Sequence, residues 1–488
     1  MSIRDGVPPV LAMGPQRLTA GLSVSERLDW VAHRALHGDI PDLAVDDLVT
    51  LAGMGNLRGR GGAGFPFARK INAVMSAAER RKSPVRVVVN ATEGEPASAK
   101  DAMLLTRAPH LVLDGAELAA RALGASDITI GIENGGQREE SLRKAIKERD
   151  GRIRMRVFRM PERFISGEGG ALIQGINGRE PIPPGQKTRA SEKGVAGVPT
   201  LLSNAETYAQ LALLALLGAD RYSSVGLPTE PGTILMTVTG TARTHTVIEA
   251  PSGVPLREVL DLCGATVGRG VLVGGYHGRW LGPEAASEAT MSRAGMEEVG
   301  GALGAGIVIP IGDGCPLEES TRVLRYLAAE SAQQCGPCIR GLPELANAFA
   351  DLTAGEGDRE AVVQAAAIGT GRGACAHPDG AGRMALSAIE TFSDDISVHA
   401  LAGTCRATAN DVLPTPDESR NKQEARLMVD WSRCDGHGLC LHLAPSLIQL
   451  DPNGYPDNTS FPVPDQFLET AERAVHMCPA LALRLDRG

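Results

Sequence analysis

Aromatic side chains are scarce in this sequence: three Trp, five Tyr and eight Phe amount to 3% of 488 residues. Positive charge is in deficit too, with 49 Lys and Arg against 58 Asp and Glu and a formal net charge of −9. That balance excludes a nucleic-acid binder that works by neutralising phosphates. Nine cysteines are too few at this length for a disulfide-stapled secreted fold. No apolar run reaches the roughly 20 residues that a membrane helix needs; the greasiest stretch, Leu211 to Leu217, is far shorter. The opening MSIRDGVPPVLAMGPQ is broken by prolines and lacks an apolar core of signal-peptide length. The expectation is a cytoplasmic protein kept in a reducing compartment, without direct membrane insertion.

Glycine is plentiful, at 58 residues, and Pro adds 31, so loops and tight turns must be frequent. Hydrophobic residues at 43% and charged residues at 22% describe a globular chain, long enough for several domains. Residues 1–50 read as a helical N-terminal lead-in. Residues 51–228 alternate: a glycine-rich loop, the β-rich Val85 to Asn90, a helical Leu111 to Leu123, the strand-like Ile128 to Ile132, the charged GQREESLRKAIKERDG and the alternating IRMRVFRM. Such strand–helix–strand order predicts an α/β sandwich with parallel strands. Residues 229–314 change to short β-rich pieces such as TILMTVTGTA and RGVLVGGYHG, which suit a small β-grasp domain. Residues 315–405 carry apolar residues at helical spacing. Residues 406–425 are polar, contain two prolines and read as a linker, and 426–488 form a last compact unit. The fold class expected is multidomain α/β.

In that last unit Cys434-Asp-Gly-His-Gly-Leu-Cys440 is followed, after 37 residues, by Cys478-Pro479. Thiolates are soft donors suited to iron–sulfur, and glycines let a loop bring its N–H groups towards sulfides. Zinc is the alternative, with His437 as fourth ligand, and three inert buried thiols the bland one. The stretches MVDWSRC, CDGHGLC, APSLIQLDPNGYP and AERAVHMCPALAL resemble the single-cluster ferredoxins of actinobacterial type, which are α+β domains. His437 stands where that family can lose its second loop cysteine, so the resemblance implies a 3Fe–4S cluster or a weakly ligated 4Fe–4S cluster on Cys434, Cys440 and Cys478.

Cys335-Gly-Pro-Cys338 lies in ESAQQCGPCIRGLPEL, and Cys375 follows after 36 residues in GTGRGACAHPDG. Alone, a CxxC is a redox pair or half a zinc site. The stretch resembles the cluster segment of the flavin-bearing, NADH-oxidising subunit of respiratory complex I, also found in NAD-linked hydrogenases and formate dehydrogenases. That family reads ESCGxCxPCRxG with a distant fourth cysteine and holds a 4Fe–4S cluster. Cys335, Cys338 and Cys375 match three ligands, while the first position is Ala332, which cannot ligate. A 3Fe–4S cluster, a substitute ligand or an empty site are the options. Cys263, Cys315 and Cys405 match no ligand position and are expected to be buried structural thiols.

The same resemblance covers roughly residues 45–400. NLRGRGGAGFPFARK crowds Gly59, Gly61, Gly62 and Gly64 around Arg60, with Lys70 beyond. Such a loop lets backbone N–H groups approach a phosphate that Arg and Lys neutralise. VVVNATEGEPASAKD, FISGEGGALIQGINGRE and GVPTLLSNAETYAQL match further family blocks in order. Carried over by position, the resemblance places FMN against Gly59, Arg60, Gly61, Lys70, Asn90, Glu93, Gly167, Glu168, Ser203 and Asn204, in a Rossmann-like α/β sandwich. An SLBB-like β-grasp domain and a helical cluster-binding bundle should follow.

For the nicotinamide nucleotide it implicates Phe65, Glu95 and Arg189. Thr92 and Ser203 replace a family aspartate and asparagine, and Gly169 replaces a glutamate beside the flavin. Ala73 and Arg189 stand where the family stacks aromatics on adenine. An Arg can stack or meet a 2′-phosphate, which points to NADPH as well as NADH.

The resemblance implies an NAD(P)H dehydrogenase that passes electrons through FMN and the middle cluster to its own ferredoxin. From there they would reach a one-electron acceptor, either a haem monooxygenase or a partner subunit of a dehydrogenase or hydrogenase complex. No side-chain acid, base or nucleophile is required. The alternative is an electron conduit or scaffold that does not itself oxidise NAD(P)H.

Overall fold

The computed structural model describes residues 8–133, 135–149, 151, 153–185, 188–405, 407, 412–415, 425–445, 447–463 and 467–486. The chain divides into two compact units, Met1–Thr415 and Pro416–Gly488.

In the first unit, four strands form a wholly parallel sheet in the order Arg154–Met160, Asp127–Glu133, Arg86–Asn90, Thr200–Asn204. The two inner strands, RVVVN and DITIGIE, are buried at every interior position and rich in Val and Ile, as expected of strands covered on both faces, while the edge strand RMRVFRM is largely accessible. Helices Phe67–Arg81, Pro109–Ala122, Gly136–Glu148 and Ala205–Ser223 connect and cover them. The helix Pro109–Ala122 starts on a proline whose missing N–H costs nothing at that position. It is buried along nearly its whole length, because it lies in the layer's middle. Helix Ala205–Ser223 includes the greasy Leu211 to Leu217, but Gly218 at φ +74° interrupts it. Among the described residues no helix is long and apolar enough to cross a membrane.

A six-stranded mixed sheet follows, ordered Val10–Ala12, Thr246–Pro251, Thr233–Val238, Ile307–Pro310, Val271–Val273, Arg279–Leu281. Its edge corrects the helical reading of residues 1–50. Val10–Ala12 is a strand, paired in parallel with Thr246–Pro251, ahead of the helices Trp30–His37 and Val45–Met54. The fully buried Glu249 carboxylate then accepts from the backbone N–H groups of Arg17, Leu18 and Thr19. A buried charge needs such donors, and here they tie the N-terminus to the second sheet.

Residues 316–402 are helical: Pro316–Ala329, Leu342–Ala354, Arg359–Gly369, His377–Thr391 and Ser393–Ala402, with a π-helical turn at Pro337–Gly341. The expected linker 406–425 lies largely outside the described residues. Its described part, Val412–Thr415, is fixed to the first unit. The N–H groups of Val412 and Leu413 donate to the Glu319 carboxylate, Tyr276 bonds the Pro414 carbonyl, and Leu413 is buried.

The second unit has a three-stranded antiparallel sheet, Ser460–Val463, Ala425–Val429, Leu483–Asp486, packed on helices Leu439–Leu443 and Leu468–Met477.

Candidate cofactor and cluster sites

A pocket opens at the C-terminal ends of the parallel strands, where ligands bind in open α/β sheets. Gly61, Asn90, Glu93, Glu95, Gly167, Glu168 and Asn204 line it, so seven of the expected residues converge there. Asn90, at the end of its strand, donates from Nδ2 to the Gly167 carbonyl at 3.0 Å and accepts from the Thr92 hydroxyl at 2.5 Å. Asn204 caps helix Ala205–Ser223 and bonds both Lys100 and Asp101. Glu93 accepts from the N–H groups of Asp101 and Ala102 and from Ser98 at 2.6 Å. Its carboxylate therefore braces the loop. Ser203 is buried in its strand.

Burial governs the pocket's carboxyls. It pushes Glu95 up to about 8, against a backbone hydrogen bond from Tyr276 that favours the charge. Burial likewise raises Glu168, which caps helix Gly169–Ile176 by accepting from the Ala171 N–H at 2.9 Å. Both groups thus gain neutral character, which lets a phosphate or flavin sit nearby without full carboxylate repulsion. Gly94 makes the wall possible, because a Cβ there would lie 2.5 Å from the Arg163 carbonyl oxygen.

Glu168 also lines an adjoining open cleft of about 1460 Å³, ample for a dinucleotide. Phe65, Lys70, Ala73, Gly169 and Arg189 share that cleft, so the positions expected to meet a nucleotide are gathered there. Lys70 is largely buried, and burial lowers its pKa. Its ammonium donates to the Leu202 carbonyl at 2.9 Å. A buried ammonium held by a neutral carbonyl fits an anion such as the FMN phosphate.

Gly59 and Arg60 are absent from both linings. The Arg60 N–H donates to the Thr207 hydroxyl at 2.9 Å, and its guanidinium bonds Tyr222. The loop is clamped from behind: Arg293, from the second-sheet region, donates to the carbonyls of Gly62 and Gly59, each at 3.2 Å. A Cβ on Gly64 (φ +61°) would fall 2.3 Å from that guanidinium carbon, so a side chain there would strain the backbone and displace Arg293.

The middle cysteines converge behind the pocket. Cys335 Sγ lies 3.5 Å from Cys338 Sγ and receives the Ala374 N–H. Burial pushes Cys375 up to about 11, and the neighbouring Glu168, Cys338 and Cys335 charges act the same way. A cationic cluster core would relieve both effects, so the three thiols fit one. Ala374 lines the nucleotide cleft, and Ala376 and His377 line the pocket, so the two residues flanking Cys375 each face one of the cavities.

Sequence reasoning missed His277 and His377 on the same wall. Their rings meet at 3.1 Å, and His377 Nε2 bonds the Leu327 carbonyl at 2.7 Å. Burial lowers both pKa values, His377 to about 4, so they stand as neutral imidazoles. The His directly after Ala376 in GACAHPDG was the only sequence cue.

In the second unit Cys434, Cys440 and Cys478 line one cavity together with His437. Gly436 and Gly438, at φ +69° and +68°, turn the loop around it. The Ala482 N–H donates to Cys478 Sγ at 3.4 Å, a contact suited to a cluster-bound sulfur. Cys263 and Cys315 are buried as expected, whereas Cys405 corrects the expectation. It is half-exposed, and it gathers with Cys315 and His399.

Comparisons with known proteins follow the same divisions. Residues 54–213 match the Nuo51 FMN-binding domain, 318–399 the NADH-ubiquinone oxidoreductase-F iron-sulfur binding region, and 427–485 a 4Fe-4S single cluster domain. The second NADH-quinone oxidoreductase F-type chain of Rhizobium meliloti is 28% identical over 393 residues, covering 75% of this chain and 92% of that protein. The HndC chain of the NADP-reducing hydrogenase of Solidesulfovibrio fructosivorans is 26% identical over 456 residues, 86% of this chain and 87% of that protein. The solved NAD+-reducing [NiFe]-hydrogenase in its H2-reduced state aligns with a TM-score of 0.70 at 25% identity, over 80% of this chain and 68% of that one. The first unit thus resembles, domain by domain, the FMN-binding and iron-sulfur regions of NADH-quinone oxidoreductase F-type chains and their hydrogenase relatives, and residues 427–485 match a 4Fe-4S single cluster domain.

Proposed function

We propose that this chain is an NAD(P)H-oxidising electron-transfer subunit that delivers electrons singly to its own ferredoxin domain. The observation that carries the reading is the shared wall: the residues either side of Cys375 face the flavin pocket and the nucleotide cleft. FMN, when bound, supplies a centre that takes a hydride and yields electrons one at a time. The chain's part is positional. Lys70 offers a buried positive charge to a phosphate, Asn90 and Asn204 fix the pocket floor, and Phe65 and Arg189 flank the cleft. His277 and His377 keep water from the wall between pocket and thiols.

The acceptor is a one-electron partner protein. Relatives named as subunits of larger oxidoreductases favour a partner subunit over a haem monooxygenase. Arg189 in the cleft and the NADP-reducing relative support NADPH as a second donor.

Anaerobic mixing of the flavin-loaded protein with NADH or NADPH tests the proposal. Bleaching of flavin absorbance, followed by a cluster signal in electron spin resonance, is expected. Bleaching by neither nucleotide leaves the conduit or scaffold role instead.

A further inference from the structure

Outside the flavin and cluster sites, three soft donors meet at the far end of the helical layer. Cys315 caps helix Pro316–Ala329 and is fully buried, with the Glu318 N–H on its sulfur at 3.4 Å. His399 lies in helix Ser393–Ala402, and Cys405 follows that helix. The two sulfurs and the imidazole nitrogen all lie within 4.8 Å of one another. Nothing in the flavin or cluster chemistry uses them.

The histidine is set up as a ligand. Its Nδ1 lies 2.5 Å from the Thr353 carbonyl, an acceptor, so Nδ1 carries the proton and Nε2 the lone pair. Nε2 faces Cys315 Sγ at 3.5 Å. A ligating imidazole that donates its other N–H to a backbone carbonyl is the usual outer-shell arrangement at metal sites. Thr353 is itself bonded to Thr321 of the Cys315 helix at 2.9 Å, which fixes the carbonyl's helix against that element. Arg269 donates to Cys405 Sγ at 3.4 Å, and a guanidinium there favours the thiolate.

We infer that Cys315, His399 and Cys405 form a zinc site that fastens the chain's exit from the helical layer. Two sulfurs and one imidazole suit zinc and disfavour magnesium or calcium, which take oxygen donors. Binding releases the two thiol protons to solvent and involves no electron transfer. The Cys405 N–H, now 3.1 Å from Nε2, gives up that lone pair to the metal. The half-exposed side of Cys405 leaves the fourth position to water.

Metal analysis of the full-length protein, purified without added zinc, tests this together with zinc-edge X-ray absorption. The expected result is stoichiometric zinc with two sulfurs at about 2.3 Å and one nitrogen at about 2.0–2.1 Å. The half-exposed Cys405→Ser should lose at least about 10-fold in zinc affinity, by the scale of a lost metal-site partner. Cys434→Ser should keep its zinc. Should Cys405→Ser misfold, the absorption spectrum of the unaltered protein decides alone. A protein free of zinc, a Cys315–Cys405 disulfide, a different first shell, or zinc lost only in Cys434→Ser overturns the inference.

Discussion

The two expected cluster sites share one deficit and differ in everything around it. Each has three cysteines where a four-cysteine set would have a fourth. The middle triplet lies at helix starts, with Cys335 just before and Cys338 buried within the π-helical turn Pro337–Gly341 and Cys375 just ahead of helix His377–Thr391, and it backs onto two cavities. In the tail, Cys434 opens a glycine-turned loop, Cys440 lies in the short helix Leu439–Leu443 and Cys478 caps helix Leu468–Met477; all three thiols are half-exposed, as Cys335 and Cys375 are, and none is buried like Cys338. Where the middle site lacks its ligand stands Ala332, with no donor atom, while His437 lines the tail cavity. Cluster potentials follow ligand set, hydrogen bonds to sulfur and solvent exposure, so one deficit should have two consequences. The inner site is fixed by its neighbours, and the outer one is open to repair and exchange.

Removing the inner site should have the largest effect. Cys375→Ser is expected to slow nucleotide-driven reduction of the tail cluster on the order of 100-fold, with flavin bleaching retained. Stopped-flow absorbance with freeze-quench electron spin resonance reads both. Cys440→Ser should instead disrupt the tail signal itself and leave the middle one, and only Cys375→Ser should erase the middle signal.

Restoring the missing ligand tests the deficit itself. Ala332→Cys should give the middle site a four-iron signal, and His437→Cys should strengthen four-iron binding in the tail. A change in one site without the other would mark which triplet truly lacks a fourth ligand. Removing the imidazole is milder: His437→Ala should weaken tail iron binding roughly 10-fold, measured by chelator competition.

The smallest contrast lies in pH. Burial raises Glu95 from 4.5 to about 8, so the folded first unit binds a proton that the unfolded chain has released. Its stability should therefore fall as pH rises from about 4.5 to about 8, and Glu95→Gln should flatten that slope. The tail's exposed Asp430 and half-exposed Asp451 behave oppositely. A Ser432 hydrogen bond and a Tyr455 N–H, respectively, hold them below 3.8. Their contribution is present above that pH and disappears as pH falls through their lowered values. Thermal melts from about pH 3 to about pH 9 would show whether the two transitions move in opposite directions.

Locally encoded features were legible. The β-rich Val85 to Asn90 and the strand-like Ile128 to Ile132 are the strands Arg86–Asn90 and Asp127–Glu133, and the charged GQREESLRKAIKERDG is the helix Gly136–Glu148. The strand Val10–Ala12 was not, because its only partner lies more than two hundred residues away and three residues carry no period. Val412–Thr415 looked like free linker because the carboxylate that holds it, Glu319, belongs to a distant helix. Family position named residues that meet in one pocket but could not show that Arg60 turns towards Tyr222. The cluster of Cys315, His399 and Cys405 was hidden by the 84 positions separating its first two members.

Arg293 bears on how such a protein can be cut and recombined. It reaches from beyond residue 228 to hold the carbonyls of Gly59 and Gly62. A fragment ending at the expected domain boundary would keep every lining residue of the glycine loop and still lose what shapes it. A portable flavin module should therefore carry two neighbouring sheets, inherited together, with Arg293 seated against Gly64 and the carbonyls of Gly59 and Gly62.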